Sequence, residues 1–266
     1  MAHRPRLDAE LVRRGLARSR DQAAEMIAAG RVRVGGLVAT KPATGVDPNA
    51  SVAVDPGAAD DYVSRGAHKL LGALDAFGPH LEVEGRHALD AGASTGGFTD
   101  VLLRRGAASV VAVDVGYGQL AWSLRTDPRV TVLDRTNVRD LTRADLPRPP
   151  DLVVADLSFI SLTTVLPALR AVATEDADLV LMVKPQFEAG RGNVPADGVV
   201  RDPGLRAAAV RRVAAAAETE GLGVRGVTAS PLPGPKGNVE YFLWLAAGAP
   251  PLADGDAERA VAEGPR

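Results

Sequence analysis

The sequence predicts a doubly wound α/β sheet that follows a small N-terminal α+β unit. From about residue 83, short apolar runs such as Leu152–Asp156 and Leu179–Val183 alternate with helical segments, which is typical of buried parallel strands covered by helices. Before residue 55, two short helices precede a Val-Arg-Val-Gly-Gly-Leu-Val hairpin at 32–38. The stretch 56–61, rich in Pro, Gly, Ala and Asp, indicates a boundary between the two parts.

The length of 266 residues allows two unequal domains. We expect an N-terminal domain at 1–59, a linker at 60–63 and the α/β domain at 64–246. Residues 247–266 are mostly Ala, Gly, Pro and acids, so we expect them to form a loose tail.

The expected elements follow from local signals. In the N-terminal domain, one helix at 8–14 ends at Gly15, and a second is capped by Ser19 and ends at Gly30. Three short strands follow, at 32–34, 37–38 and 52–54. The α/β domain is expected to contain strands at 88–90, 110–114, 130–133, 152–156, 179–183, 224–229 and 239–245, with helices at 100–105, 119–125, 162–173 and 205–220. Because only the loop Pro231–Gly237 joins the last two strands, the last strand should pair antiparallel.

The composition excludes several classes of site. The chain has no cysteine, which removes disulfides, thiolate metal ligands and cysteine nucleophiles. The four histidines are scattered, so no metal centre is expected. The N-terminus has no apolar segment, and no apolar run approaches the roughly 20 residues that span a bilayer. We therefore expect a cytoplasmic protein with no membrane partner.

Charge is distributed unevenly along the chain. The net charge is −2, yet the first 33 residues are rich in arginine, which favours an anionic partner at this end. The 31 basic residues include only four lysines: Lys41, Lys69, Lys184 and Lys236. Lysine can lose its proton whereas arginine stays charged, so each lysine is a candidate for acid–base chemistry.

A glycine-rich loop at 92–97 follows the first α/β strand, where a ligand would meet the N-terminus of a helix. Asp114 ends the next strand and suits the two hydroxyls of a ribose. Asp90 would repel a pyrophosphate, so we favour S-adenosylmethionine (SAM) over a dinucleotide or a purely structural turn. The predicted SAM-binding residues are Asp90, Gly92, Ser94, Gly96, Phe98, Asp114, Asp134 and Asn137.

Four further polar residues should meet beside the transferred methyl group. Lys69 precedes the first α/β strand and Glu240 begins the last, while Asp156 and Lys184 end two others. A buried lysine beside a second cation can take the proton of a hydroxyl group, and the carboxylates would orient the lysines and a ribose. Each residue alone could be an ordinary solvated side chain. Because cysteine is absent and 156–159 lacks the motif of amino methyltransferases, oxygen acceptors, other N-alkylation and small-molecule substrates stay open.

The N-terminal pattern, including Arg6-Leu7-Asp8, Gly15 and Lys41-Pro42, resembles an S4 RNA-binding domain. The α/β part carries the long motifs SRGAHKL at 64–70, DAGASTGGFT at 90–99, DVGYGQL at 114–120, DLSFIS at 156–161, VKPQFE at 183–188 and GNVEYF at 237–242. Together these resemble the TlyA, or hemolysin A-like, ribosomal RNA methyltransferases, whose catalytic part is similar to FtsJ-type 2′-O-methyltransferases.

The resemblance implies a Rossmann-like class I SAM-dependent methyltransferase that modifies cytidine 2′-hydroxyls in 16S and 23S rRNA, at the interface of the 30S and 50S subunits. The family's Lys-Asp-Lys-Glu tetrad falls on Lys69, Asp156, Lys184 and Glu240, with Lys184 as the expected proton acceptor. It also implies a link to sensitivity towards capreomycin-type antibiotics. We further expect a monomer.

RNA contacts are expected from Arg4, Arg6, Arg18, Arg20, Lys41, Arg65, Arg135, Arg139, Phe159 and Arg191. Phe159 would stack on a flipped base, or else pack in the core. One departure from the family lies in the linker, where mycobacterial members carry Arg-Ala-Trp-Val and this chain has Asp60-Asp61-Tyr62-Val63. Two alternatives remain at this point: a non-catalytic SAM-binding RNA chaperone, and a membrane-active hemolysin.

Overall fold

The computed structural model describes residues 4–17, 20–55, 62–190 and 192–265. The chain divides into two compact units, Met1–Asp61 and Tyr62–Arg266. Ser19, Arg18, Arg191 and the first two residues of the expected linker lie outside the described residues. Tyr62 and Val63 belong to the second unit, where the Val63 backbone N–H donates to Asp100 at 2.8 Å.

In its described part, the N-terminal unit contains two helices and three strands. The helices are α1 (Leu7–Arg13) and α2 (Arg20–Ala28), and the strands are β1 (Val32–Val34), β2 (Leu37–Val38) and β3 (Val52–Val54). The strands form an antiparallel sheet in the order β2-β1-β3. Gly35 and Gly36 have φ of +57° and +84°, the conformation that a tight hairpin turn requires. Apolar residues of both helices and β1, including Leu11, Ile27 and Val32, form the core.

Two buried carboxylates organise helix α1. Glu10 accepts hydrogen bonds from the guanidinium groups of Arg13, at 2.6 and 2.7 Å, and Arg14, at 2.6 Å. These bonds lower the pKa of Glu10 to about 2. Asp8 is paired in the same way with Arg6 and Arg20, which hold the pKa of its carboxyl well below the usual range. Arg6 and Arg20, two of the residues expected to bind RNA, are therefore held beside α1 by ion pairs with Asp8.

The second unit is built on a sheet of seven strands, counted over the described residues. The strands are β4 (His87–Ala91), β5 (Ser109–Val113), β6 (Val130–Leu133), β7 (Leu152–Ala155), β8 (Asp178–Val183), β9 (Leu222–Ala229) and β10 (Tyr241–Ala247). Their order is β6-β5-β4-β7-β8-β10-β9. β4 to β8 are mutually parallel, and β10 pairs antiparallel with both β8 and β9. The predicted fold class and antiparallel last strand are confirmed.

Helices cover both faces of this sheet and bury two apolar layers. They are α3 (Ala67–Phe77), α4 (Gly97–Arg104), α5 (Trp122–Arg125), α6 (Leu162–Val172), α7 (Pro185–Glu188), α8 (Pro203–Thr219) and α9 (Asp256–Glu263), with 3-10 turns at 78–80, 138–140 and 143–145. Helix α3 was not predicted from the sequence, although it carries Lys69. None of the helices in the described ranges is long and apolar enough to cross a membrane.

The expected loose tail at 247–266 is wrong, because α9 folds back onto the sheet. Ala257 and Ala260 on this helix are 1% and 3% exposed and join the core. Their spacing of three residues places them on one helical face, with charged residues elsewhere. Small alanines gave the segment a low-complexity composition that concealed a buried face.

The paired carboxylate of Glu10 makes the stability of the protein sensitive to acid. Its lowered pKa means that this stabilisation is complete above the pKa of the unfolded chain, near 4.3, and is lost as pH falls towards 2. We predict that Glu10→Gln lowers the melting temperature at pH 7 by roughly 2–4 °C. The difference in melting temperature between Glu10→Gln and wild type should become smaller as pH is lowered from 5 to 2.5. Thermal unfolding followed by circular dichroism measures this difference. Glu218→Gln, at an exposed position, is the control; a deficit independent of pH would contradict the account.

Candidate active site

The glycine loop between β4 and α4 lies close to the end of β7. Gly92 has φ of +89°, and a Cβ atom there would lie 2.7 Å from the backbone oxygen of Asp156. Gly96 has φ of +98°, and a Cβ atom there would overlap the side chain of Leu124. Glycine is required at both positions, because a side chain would disfavour the positive φ and would collide with the neighbouring atoms.

A cavity of about 650 Å³ opens beside this loop, at the carboxyl ends of the parallel strands. It is lined by Gly92, Ser94, Val113, Asp114, Val115, Gln119, Thr136, Asn137, Val138, Arg139, Asp156, Leu157, Ser158, Phe159, Ile160 and Val165. This is the edge where doubly wound sheets bind their ligands. The volume is within the range of small-molecule and cofactor sites.

Asp114 is oriented by two backbone groups. Its Oδ2 accepts from the N–H of Ser94 at 2.8 Å, and its Oδ1 accepts from the N–H of Gly116 at 2.7 Å. A carboxylate oxygen can accept more than one hydrogen bond, so each oxygen keeps capacity for a hydroxyl in the cavity. The arrangement suits the two adjacent hydroxyls of a ribose.

Asp90 lies one residue before the end of β4, beneath the loop, and is completely buried. One oxygen accepts from the hydroxyl of Thr99 at 2.6 Å, whereas Oδ1 has no partner among the described residues. Burial raises the pKa of Asp90 to about 7, and the negative charges of Asp156 and Asp114 act in the same direction. An unpaired buried carboxylate oxygen is suited to a cationic ligand group.

The four residues of the expected tetrad come together. Lys69 donates to Glu240 at 2.5 Å and lies 3.9 Å from Asp156, while Lys184 lies 2.6 Å from the other oxygen of Asp156. Both lysines are nearly buried, with 11% and 8% of their side chains exposed. Two cations and two anions therefore form one balanced cluster at the cavity edge.

Phe159 is exposed and does not pack in the core. Its side chain is 92% exposed, its backbone has φ of +66°, and its ring lies 5.3 Å from that of Phe187. A non-glycine residue in this conformation is strained, which is common at functional sites. The core-packing alternative for Phe159 is therefore wrong.

Four of the residues predicted to bind the cofactor do not line the cavity: Asp90, Gly96, Phe98 and Asp134. Phe98 is buried in the core against Phe242, with ring centroids 6.1 Å apart. Asp134 pairs with Arg125 and accepts from the backbone of Gly118. Gly96 instead allows the loop to approach α5. Asn137 does line the cavity, and its side-chain oxygen accepts from the backbone of Arg139 at 3.1 Å.

The residues expected to bind RNA are exposed wherever the structure describes them, in both units taken separately. Arg4, Arg6, Arg20 and Lys41 are exposed in the first unit, and Arg65, Arg135 and Arg139 in the second. The guanidinium group of Arg135 lies 4.3 Å from the centre of the Tyr117 ring. Tyr117 itself is 68% exposed, and it is not among the residues predicted to bind RNA.

Sequence reasoning also missed Ser158, whose hydroxyl oxygen accepts from Lys184 at 2.8 Å. Its position two residues after Asp156 was the available signal, because both follow the same strand. Within the described ranges, no group of three or more His, Cys, Asp or Glu residues is placed to hold a metal ion.

A doubly wound sheet with this loop, the oriented Asp114 and a lysine–carboxylate cluster defines a class I methyltransferase. The FtsJ-like methyltransferase model matches residues 62–247, and the S4 domain model matches residues 5–52. The chain belongs to the TlyA group of FtsJ-like methyltransferases that carry an S4 domain. Its methyl donor is SAM, as expected from the sequence.

Similar proteins align with most or all of the chain. The 16S/23S rRNA (cytidine-2′-O)-methyltransferase TlyA of Mycobacterium tuberculosis (strain CDC 1551 / Oshkosh) is 62% identical, with 100% of both chains aligned. Hemolysin A of Brachyspira hyodysenteriae is 38% identical over 89% of this chain and 98% of its own. A solved structure from Streptococcus thermophilus that carries a hemolysin name is 36% identical, with a TM-score of 0.76 over 99% of this chain and 96% of that one.

Asp90 provides a prediction for stability. Its raised pKa means that the contribution of Asp90 to stability is most favourable at low pH and becomes less favourable as pH rises from about 4 through 7. The neutral variant Asp90→Asn should escape this loss. Its melting temperature relative to wild type should rise by roughly 3 °C or more between pH 5 and pH 8, measured without SAM. Asp254→Asn, at an exposed site, is the control; parallel pH profiles for Asp90→Asn and wild type would contradict the account.

Proposed function

We propose that this protein transfers the methyl group of SAM to the ribose 2′-hydroxyl of cytidine in 16S and 23S rRNA, at sites on the subunit interface. The observation that carries the proposal is the buried amine of Lys184, 2.6 Å from Asp156 at the rim of the cavity. The M. tuberculosis relative, whose name states this substrate, supports it. The enzyme would act in the cytoplasm as a monomer.

The chemistry needs a base, because a ribose hydroxyl is a weak nucleophile until its proton leaves. SAM supplies an electrophilic methyl group. In our proposal the neutral amine of Lys184 takes the 2′-hydroxyl proton as the ribose oxygen bonds to the methyl carbon. The bond between that carbon and sulfur breaks, with its electron pair left on sulfur.

The other members of the cluster would hold Lys184 and the ribose in place. Asp156 contacts both lysines, so it fixes their separation. Glu240 is 1% exposed and pairs with Lys69, which keeps the Lys69 charge near Asp156.

The residues present fit SAM. Asp114 would accept the ribose hydroxyls of the cofactor, while Gly92, Ser94 and Asn137 line the space around it. The unpaired oxygen of Asp90 would compensate positive charge near the loop. Gly96, Phe98 and Asp134 would support the site from behind, through the contacts described above.

The exposed arginines would hold the RNA, whose phosphates set position without reading sequence. Phe159 would stack on a base turned out of its helix, next to the cluster. Such stacking is sequence-tolerant and contributes roughly 1–3 kcal/mol per base.

Loss of the methyl groups from the rRNA would reduce sensitivity to capreomycin-type antibiotics, as the resemblance to the TlyA family implies.

Lys184→Arg separates charge from basicity, because arginine keeps the positive charge but does not release its proton. We predict that it lowers methyl transfer to unmodified 30S and 50S subunits by about 100-fold or more. Lys184→Ala should also be inactive. Binding of SAM, measured by calorimetry, should change by less than about threefold in Lys184→Arg, since the cofactor contacts are retained.

Lys236→Arg, at an exposed lysine, is the matched control and should keep wild-type transfer. Substantial activity in Lys184→Arg would remove Lys184 as the proton acceptor. Absence of transfer by the wild type, with RNA binding intact, would contradict the enzymatic proposal and favour an RNA-binding role without catalysis.

Phe159→Ala tests base stacking at the exposed rim. We predict a fall in kcat/KM for subunits of roughly 10-fold, which corresponds to the loss of one stacking contact. Phe159→Trp should restore at least part of the rate because it keeps a larger aromatic face. The melting temperature should stay within about 1 °C of wild type, as the side chain is exposed. A variant Phe159→Ala with unchanged kcat/KM would contradict this role.

A further inference from the structure

The amine of Lys184 has two polar neighbours. It donates a hydrogen bond to the hydroxyl oxygen of Ser158 at 2.8 Å and forms an ion pair with Oδ1 of Asp156, 2.6 Å away. Lys184 is 7% exposed, so these contacts form where water competes little. Ser158 is exposed and lines the cavity, which places its hydroxyl between the buried amine and the open space.

These two contacts restrict the direction of the nitrogen lone pair. The nitrogen has four tetrahedral positions, of which Cε takes one and the hydrogen donated to Ser158 takes another. The nearby carboxylate of Asp156 favours a hydrogen on its own side, so the lone pair of the neutral amine lies away from both Ser158 and Asp156. With only the Asp156 contact, the amine could rotate about its Cε–Nζ bond and present the lone pair in several directions.

The segment that contains Ser158 is held in place by hydrogen bonds to the segment that contains Lys184. Glu188, four residues after Lys184, accepts from the hydroxyl of Ser161 at 2.5 Å and from the backbone N–H of Leu162 at 2.7 Å. Glu188 is 3% exposed, so this link is buried. The segments that follow β7 and β8 are therefore clamped together, and the distance between Ser158 and Lys184 is held by the fold.

Ser158 has no other structural task among the described residues. Its hydroxyl makes one hydrogen bond there, the bond to Lys184, whereas nearby Ser161 caps helix α6 by accepting from the backbone of Thr163. The hydroxyl is therefore available to act through the lysine.

We propose that Ser158 is a positioning residue that directs the lone pair of Lys184 towards the substrate hydroxyl. This inference rests on the proposed function. A lost orientation lowers the rate of proton transfer without weakening the binding of substrate, so its signature is a fall in kcat at constant KM. Because the proposed role depends on the hydroxyl group, threonine at this position should retain function, whereas alanine should not.

The test compares Ser158→Ala, Ser158→Thr and wild type in methyl transfer to unmodified subunits. We expect Ser158→Ala to lower kcat by roughly 10–100-fold, with KM for SAM and for subunits within about twofold. The fall should hold at every pH of the rate profile, because orientation rather than charge is lost. Ser158→Thr should recover most of the wild-type kcat.

Ser123→Ala, at an exposed helical serine, is the matched control and should behave as wild type. A kcat for Ser158→Ala within about twofold of wild type would overturn the proposal, as would a Ser158→Thr variant as impaired as Ser158→Ala. A variant Ser158→Ala in which KM rises while kcat is unchanged would also overturn it, because that result indicates weaker substrate binding. These outcomes test the role of Ser158 when the wild-type protein transfers methyl groups to the subunits. A wild-type protein without transfer activity would instead contradict the proposed function.

Discussion

The buried pairing of Lys69, Asp156, Lys184 and Glu240 is the interaction on which the site depends. Each charge is costly to remove from water, and only the balance of two cations with two carboxylates makes the cluster tolerable. Truncating one member would leave an uncompensated charge, which typically costs about 3–5 kcal/mol. The same balance holds two amines close together beside a cavity, an arrangement that proton transfer from a hydroxyl can use.

The sheet topology explains why these residues meet. β7 and β8 are parallel neighbours, so Asp156 and Lys184 emerge at the same edge. β10 runs antiparallel beside β8, and therefore its starting end, next to Glu240, lies at that edge too. The glycine loop after β4 closes against Asp156. Strand direction thus brings Asp156, Lys184 and Glu240 to the edge of the sheet where the glycine loop borders the cavity.

Much of this could be predicted from the sequence, because apolar runs define strands and strand direction places their ends. The glycine loop, Asp114 and the four clustered residues were all found in this way. Other features depend on contacts that no local pattern reveals. Asp134 pairs with Arg125 and does not line the cavity. The buried alanines of α9 lie in a segment whose biased composition is typical of a loose tail. Phe159 is exposed and has a left-handed backbone conformation. Ser158 matters only through its contact with Lys184.

The central claim is that the methyl group goes to a ribose oxygen. The most direct measurement is to incubate unmodified 30S and 50S subunits with the enzyme and methyl-labelled SAM, digest the RNA to nucleosides, and identify the labelled product by mass spectrometry. The account predicts label in 2′-O-methylcytidine, with none in base-methylated nucleosides. Label on a cytosine ring carbon or exocyclic nitrogen would contradict it, because the lysine–carboxylate cluster would then have no hydroxyl proton to accept.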